Sequence, residues 1–74
     1  MAENFVSLVA GKFGLSEDEA RVYSLFVLYK ILTLGEICYY TALPASKVKS
    51  ILQSLRDKGL ISQVPGVVER YTAV

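Results

Sequence analysis

The chain has 74 residues with a net charge of +1, and 53% of its residues are hydrophobic. This length allows one domain with a small core, and the high apolar content indicates that some of the surface contacts another chain. A single cysteine without any histidine excludes an internal disulfide and a multi-cysteine or histidine metal site, so we expect neither metal nor cofactor.

The sequence shows no sign of a membrane span or a secretion signal. No run approaches the roughly 18 apolar residues that a membrane span requires. Glu3 stands where a signal peptide carries positive charge, and a lone cysteine fits a reducing compartment. We therefore expect a cytoplasmic protein with no membrane partner, and nothing in the sequence indicates a small-molecule ligand.

The first half of the chain predicts two helices. Residues 3–13 place apolar side chains at helical spacing, namely Phe5, Leu8, Val9 and Phe13. A capping box formed by Ser16 and Glu19 starts the second helix, which runs to about Lys30. Within it, "VYSLFVLY" at residues 22–29 contains one polar residue, so this helix must be covered on nearly every side. Either the first helix covers it or a partner chain does.

A short helix, a tight turn and a third core helix follow. A second capping box after Thr33 starts the short helix, which runs to about Tyr40. The "TALP" stretch, residues 41–44, is typical of a turn, and Pro44 is acceptable in the first turn of the next helix because no amide donor is needed there. That helix ends at Gly59, which can adopt the left-handed conformation that closes a helix.

This third core helix has two unlike faces. Its apolar face is predicted to lie on the core and consists of Val48, Ile51, Leu52 and Leu55. The opposite side is polar and consists of Ser46, Ser50 and Gln53, flanked by Lys47, Lys49, Arg56 and Lys58. Residues 44–74 carry a net charge of +3, which suits a polyanionic partner, although solubility alone also requires a polar face.

A β-hairpin is predicted at the end of the chain. Residues 60–64 and 67–74 are rich in β-branched and aromatic residues, and Pro65-Gly66 separates them. The tip, Pro65-Gly66-Val67-Val68, carries no basic residue, and Arg70 lies close behind it. Such a hairpin after a helix-turn-helix is typical of a wing.

The order of these elements predicts a mainly α fold with a small β-hairpin, which belongs to the α+β class. Its architecture is a winged helix-turn-helix with an extra N-terminal helix. In this single domain, residues 1–14 form the N-terminal helix, residues 16–59 form the three-helix core, and residues 60–74 form the wing hairpin.

Four stretches of the chain are similar to successive landmarks of one protein family. They are "GLSEDEARVY" (14–23), "LTLGEI" (32–37), "LPASKV" (43–48) and "LRDKGLI" (55–61). In this order and at nearly this spacing they resemble the archaeal TrmB-like winged-helix domain. The likeness continues to "ERYTAV" at the end of the chain and covers about 60 of the 74 residues.

The resemblance implies a DNA-binding transcription regulator on the nucleoid, with double-stranded DNA as its partner. The third core helix would enter the major groove, and the wing would contact the flanking backbone. The residues expected in the groove are Ala45, Ser46, Lys47, Lys49, Ser50 and Gln53. Those expected to contact phosphates are Arg56, Lys58 and Arg70. By their hydrogen-bonding chemistry, Gln53 could pair with adenine, and Lys49 could reach guanine or a phosphate.

Two features depart from the family pattern. Family members usually carry glycine where this chain has Ala42, so the turn either avoids a positive φ angle or is strained. Tyr39 and Tyr40 stand where charged or small residues are common, and we expect that they do not both point inward. Surface tyrosines are enriched at interfaces, whereas Cys38 beside them is predicted to be a small core residue.

The nature of a protein partner is left open by the sequence. A homodimer, or a complex with another transcription protein, is expected to use Phe5, Val9, Phe26, Tyr29, Tyr39 and Tyr40. An alternative function keeps the fold but makes it a protein-docking module of basal transcription machinery, similar to TFIIE or an RNA polymerase accessory subunit. We do not expect an enzyme, because no set of acid, base and nucleophile can be assembled. TrmB-like proteins often continue past the wing into further domains, and the sequence leaves open whether this chain is a piece of such a protein.

Overall fold

The computed structural model describes residues 2–74, with side chains from residue 5 onward, and contains four helices and three strands there. In chain order they are α1 (Ala2–Phe13), α2 (Glu17–Tyr29), β1 (Ile31–Thr33), α3 (Leu34–Thr41), α4 (Ala45–Asp57), β2 (Ile61–Val64) and β3 (Arg70–Ala73). The predicted α+β winged helix-turn-helix is confirmed: α3 and α4 form the helix-turn-helix, and the β2–β3 hairpin forms the wing.

Both predicted capping boxes are present. Ser16 accepts a hydrogen bond from the amide of Glu19 at 3.2 Å, and the Glu19 carboxylate accepts one from the amide of Ser16 at 3.0 Å. Thr33 and Glu36 repeat this exchange at 3.2 and 2.8 Å. Each box satisfies amide donors that have no partner within the helix, which is why α2 and α3 begin where the sequence predicts.

The sheet contains a strand that the sequence analysis did not predict. Its order is β1-β3-β2 and all pairs are antiparallel, with Leu32 of β1 opposite Tyr71 of β3. Both of these side chains are buried, so the short strand closes the sheet over the core. Three residues between two helices are too few to show a strand periodicity, and the pairing partner lies far along the chain.

The wing loop is longer than predicted. Val64 and Arg70 form the last pair of the hairpin before the loop, so residues 65–69 form a five-residue loop. The prediction of a second strand starting at residue 67 was therefore wrong. The Pro65-Gly66 dipeptide correctly marks a reversal of the chain, but it does not close the hairpin as a two-residue turn.

The hydrophobic core lies between the helices and the sheet. All four residues of the predicted apolar face of α4 are buried, as expected for the side of a helix that packs on the core. The largest fully buried side chains are Phe26, Leu32, Ile37, Leu52 and Leu55, together with Val22 and Val48. Cys38, which was predicted to be a small core residue, is half-buried and packs against the edge of this core.

The apolar helix α2 is covered only in part. α1 packs along it, which agrees with the interpretation that the first helix covers one side. Val27, Leu28 and Tyr29 in the last turn of α2 nevertheless remain 52%, 71% and 48% exposed. Within residues 2–74, no helix combines the length and apolar character needed to cross a membrane.

Candidate nucleic-acid interface

The turn between α3 and α4 is held by hydrogen bonds to one threonine. The hydroxyl of Thr41 donates to the carbonyl of Ile37 at 2.7 Å and accepts from the amide of Leu43 at 3.3 Å. Ala42 between them has φ 60° and ψ 24°, the left-handed conformation. Glycine adopts this conformation without strain, whereas alanine does not. Because this chain has alanine here, the turn that sets the angle between α3 and α4 contains a strained residue.

The N-terminal end of α4 is open to an anion. Its N-cap residue is Pro44, which provides no side-chain cap, and the first turn contains no acidic residue. The amides of Lys47 and Val48 donate to the carbonyl of Pro44 at 3.1 and 3.0 Å, whereas those of Ala45 and Ser46 precede the first such bond. The first turn of α4 itself thus provides no negative charge to the positive end of the helix dipole.

The solvent face of α4 brings most of the predicted groove residues together. Ala45, Ser46, Lys49, Ser50 and Gln53 are all exposed, at the helical spacing that aligns them along one side. The Gln53 amide donates to the carboxylate of Asp57 at 2.9 Å, so it must leave that partner before it can pair with a base. This face therefore offers small polar groups and one cation on a firmly packed helix.

Lys47 points away from the centre of this face. Its ammonium group forms an ion pair with Asp18 of α2 at 2.8 Å. The expected groove contact must therefore compete with a carboxylate that already holds the side chain. Because both partners are partly exposed, this pair contributes little to stability, but it does lower the positive charge that α4 presents.

Lys58 is also held by α2. Its ammonium group lies 3.2 Å from the Glu19 carboxylate and 3.1 Å from the Ser54 hydroxyl, and Ser54 itself donates to Glu19. The hydrogen bonds from Ser54 and from the Ser16 amide, together with Lys58, lower the pKa of Glu19 from 4.5 to about 2. The expected phosphate contact of Lys58 must therefore compete with these bonds, which join α2 to the end of α4.

The remaining predicted phosphate contacts are Arg56 in the last turn of α4 and Arg70 at the start of β3, and both are exposed. Burial and the negative charge of Glu69 raise the pKa of Tyr71, and the positive charge of Arg56 opposes this rise. Arg56 of α4 and Glu69 of the wing loop therefore both lie within electrostatic reach of the Tyr71 hydroxyl. α4 and β2 also pack against each other, so α4 and the wing are neighbours.

The predicted protein-interface residues do not all reach the surface. Val9 and Phe26 are 8% and 1% exposed, so they belong to the core of the single chain and are not available to a partner. Phe5, Tyr29, Tyr39 and Tyr40 are exposed, and with Val27 and Leu28 we call them the apolar surface.

Three tyrosines organise one end of the apolar surface. The rings of Tyr29 and Tyr40 stack with centroids 4.8 Å apart, and Tyr39 meets Tyr40 edge-on at 5.4 Å. Neither Tyr39 nor Tyr40 points inward, in line with the expectation that they do not both do so. Beside them, a groove of about 460 Å³ lies between α1, α2 and α3, with Phe5, Leu28 and Tyr40 among its lining residues. Large apolar side chains of this kind are enriched at protein interfaces.

The helix-turn-helix with its wing is matched by a family model. The model of the family described as "Sugar-specific transcriptional regulator TrmB" matches residues 9–74. The chain belongs to the TrmB family. The resemblance predicted from the four sequence stretches is thereby confirmed, and the family is one of transcription regulators.

Individual relatives agree with this membership. The DNA-binding HTH-type transcriptional repressor TrmBL2 of Thermococcus kodakarensis is 33% identical over 72 residues, which are 97% of this chain and 27% of the relative. A solved structure of TrmBL2, described as an archaeal chromatin protein with a novel mode of DNA binding, superposes with a TM-score of 0.85 and 31% identity. That match covers 100% of this TrmB-family chain and 28% of the solved one.

The fold alone is shared more widely. A protein from the thermoacidophilic archaeon Sulfolobus tokodaii superposes with a TM-score of 0.81 at 18% identity, over 99% of this chain and 75% of that one. The match to the TrmBL2 relatives covers 27% of each of them, so this chain spans about a quarter of their length.

Proposed function

We propose that this chain is the DNA-binding domain of a TrmB-family transcription regulator, with α4 in the major groove and the wing on the flanking backbone. The observation that carries the proposal is the solvent face of α4, where exposed small polar residues and Lys49 follow a helix N-terminus free of acidic residues. The names of the TrmBL2 relatives support DNA as the partner and favour this function over a protein-docking module. We also propose that the protein resides on the nucleoid.

The roles of the groove residues follow from their chemistry. Ser46 and Ser50 are short hydroxyl side chains that can read donors or acceptors on base edges, and Gln53 can form two hydrogen bonds with adenine once it leaves Asp57. Ala45 allows close approach and can contact a thymine methyl group. Lys49 reaches guanine or a phosphate from the same face, while the amides at the start of α4 bind a phosphate.

One copy of the chain offers few ionic contacts to DNA. Lys47 and Lys58 are engaged by Asp18 and Glu19, which leaves Lys49, Arg56 and Arg70 as the cations that support phosphate binding most directly. Three neutralised phosphates predict a slope of about −3 for the logarithm of the binding constant against the logarithm of salt concentration. Binding by a single copy is therefore expected to be weak, and lost at high salt.

We further propose that two copies associate through the apolar surface. Leu28 and Tyr39 protrude from it, 71% and 82% exposed, next to the groove between the helices. A homodimer would bury these side chains and double the phosphate contacts of the complex. The apolar surface consists of residues from α1, α2 and α3, whereas the groove residues lie on α4, so both can be used at once.

The salt dependence of binding to a mixed pool of duplex DNA tests the DNA-binding function. We expect Lys49→Gln to weaken binding and to make the slope shallower by about 0.9, since one phosphate contact is lost. Lys12→Gln removes the same charge from α1 and serves as the matched control, which should leave the slope unchanged. Absence of binding by the native chain at low salt, with the fold intact, would refute the function.

Sedimentation equilibrium tests the dimer independently of DNA. We expect the native chain to sediment as a dimer and Leu28→Glu to sediment as a monomer, because a buried, unpaired carboxylate is costly. Val74→Glu adds the same charge at an exposed position outside the apolar surface and should leave the dimer intact. A native chain that is monomeric at high concentration would rule out self-association through this surface.

A further inference from the structure

The tip of the wing is an apolar projection. Residues 65–69 form the loop between β2 and β3, and four of the five, Pro65 to Val68, are apolar. Val67 is fully exposed and Val68 is half-exposed. This exposure is unfavourable, because moving a valine side chain out of water lowers the free energy of the system. The paired residues Val64 and Arg70 hold both ends of the loop, so these side chains project from a fixed base.

The composition of the loop does not suit a contact with phosphates. It contains no lysine or arginine, and its charged residue is Glu69, which repels a phosphate group. The free energy that the tip can contribute on binding comes from apolar surface that is removed from water. A suitable partner surface must therefore offer sugar rings, base faces or apolar side chains.

The position of the loop points to DNA. The hairpin that carries it lies beside α4, because β2 begins after a three-residue connection from α4 and packs against that helix. The hairpin is therefore continuous with the proposed DNA interface, and an exposed cation, Arg70, lies at the base of the loop opposite Val64. The uncharged tip, Pro65 to Val68, thus projects beyond a group that can hold a phosphate.

We infer that the wing tip enters the minor groove of the bound duplex as an apolar wedge, with Val67 and Pro65 packed against the sugars and a base step. The inference rests on the proposed function and adds to it a contact that deforms DNA. Apolar side chains that enter the minor groove partly unstack a base step and bend the duplex by about 20° to 90°. Flexible pyrimidine–purine steps such as TA deform most easily, so the wedge favours them without any hydrogen bond to a base.

A Förster transfer assay on an end-labelled duplex with one central TA step tests the wedge. The native chain should raise the transfer efficiency on binding, and a duplex with AA at the same place should respond less. Val67→Ala should abolish most of the rise and weaken binding about fifteenfold, the effect of two fewer buried carbon atoms. Its salt slope should stay unchanged, because no ionic contact is removed. Val74→Ala is the matched control, since it removes the same atoms from an exposed valine at the opposite end of the hairpin.

The outcomes separate the wedge from the proposed function. If Val67→Ala binds and bends both duplexes as the native chain does, the proposal of a wedge is wrong, but the DNA-binding function stands. The apolar tip would then be available to a protein partner. If the native chain binds but bends neither duplex, the wedge is wrong as well. If the native chain does not bind either duplex at low salt, the DNA-binding function itself fails and the wedge fails with it.

Discussion

The hydroxyl of Ser54 on α4 donates a hydrogen bond to the carboxylate of Glu19 in the first turn of α2. The same carboxylate accepts a hydrogen bond from the Ser16 amide at 3.0 Å, which closes the capping box of α2. One side chain thus both starts α2 and fixes the helix that we propose to enter DNA. The placement of α4 consequently depends on a residue that lies outside the helix-turn-helix.

Replacing Glu19 with alanine should destabilise the protein by about 2 kcal/mol, because both the cap and the contact with Ser54 and Lys58 are lost. Urea unfolding measures this loss. Glu17→Ala is the control, since it removes a carboxylate from the same turn at an exposed position and should cost less than about 1 kcal/mol. Equal losses in the two variants would show that only the charge near the helix dipole matters.

The pH dependence of stability should carry a contribution from Glu19. Its pKa is lowered from 4.5 to about 2 in the folded chain, so the folded state favours the ionised carboxylate. This contribution is fully present above pH 4.5 and is lost as the pH falls from 4.5 towards 2. Thermal unfolding should therefore show the native chain losing its advantage over Glu19→Gln across this range. A difference between the two that stays constant down to pH 2 would contradict the role of the carboxylate.

Local signals in the sequence predicted most of the fold. Ser16 and Thr33 marked the starts of α2 and α3 through hydrogen bonds that span three residues, and the apolar periodicity of α4 identified its buried face. Such contacts depend only on neighbours in the chain. They are readable because a helix brings nearby residues together in a fixed way.

The contacts that the sequence did not show join distant residues. Leu32 pairs with Tyr71 across the sheet, and Lys47 and Lys58 pair with carboxylates of α2. The helical wheel of α4 correctly placed both lysines on its flanks, but it could not show that α2 brings carboxylates to them. A count of the basic residues therefore gives an upper limit on the cations available to DNA, because it ignores which charges are already paired.

The turn of the helix-turn-helix offers a simple gain in stability. Ala42 has φ 60°, where an L side chain crowds the backbone and glycine does not. Ala42→Gly should stabilise the protein by about 1 kcal/mol, because the relieved strain exceeds the added entropy of the unfolded chain. Ala45→Gly is the control: it makes the same change in a right-handed helical position and should be neutral or destabilising. Thermal unfolding measures both stabilities. An Ala42→Gly variant less stable than Ala45→Gly would contradict the interpretation that Ala42 is strained.

The pair between Lys47 and Asp18 should limit the affinity for DNA. Asp18→Asn releases the lysine and removes a negative charge, so we expect binding to tighten about threefold at low salt and the salt slope to steepen by up to about 0.9. Titration of a labelled duplex measures both quantities. Glu17→Gln makes the same change of charge in an exposed neighbour, and it should tighten binding less and leave the slope as it is. If the two variants change affinity and slope equally, the gain reflects net charge alone and Lys47 does not contact a phosphate.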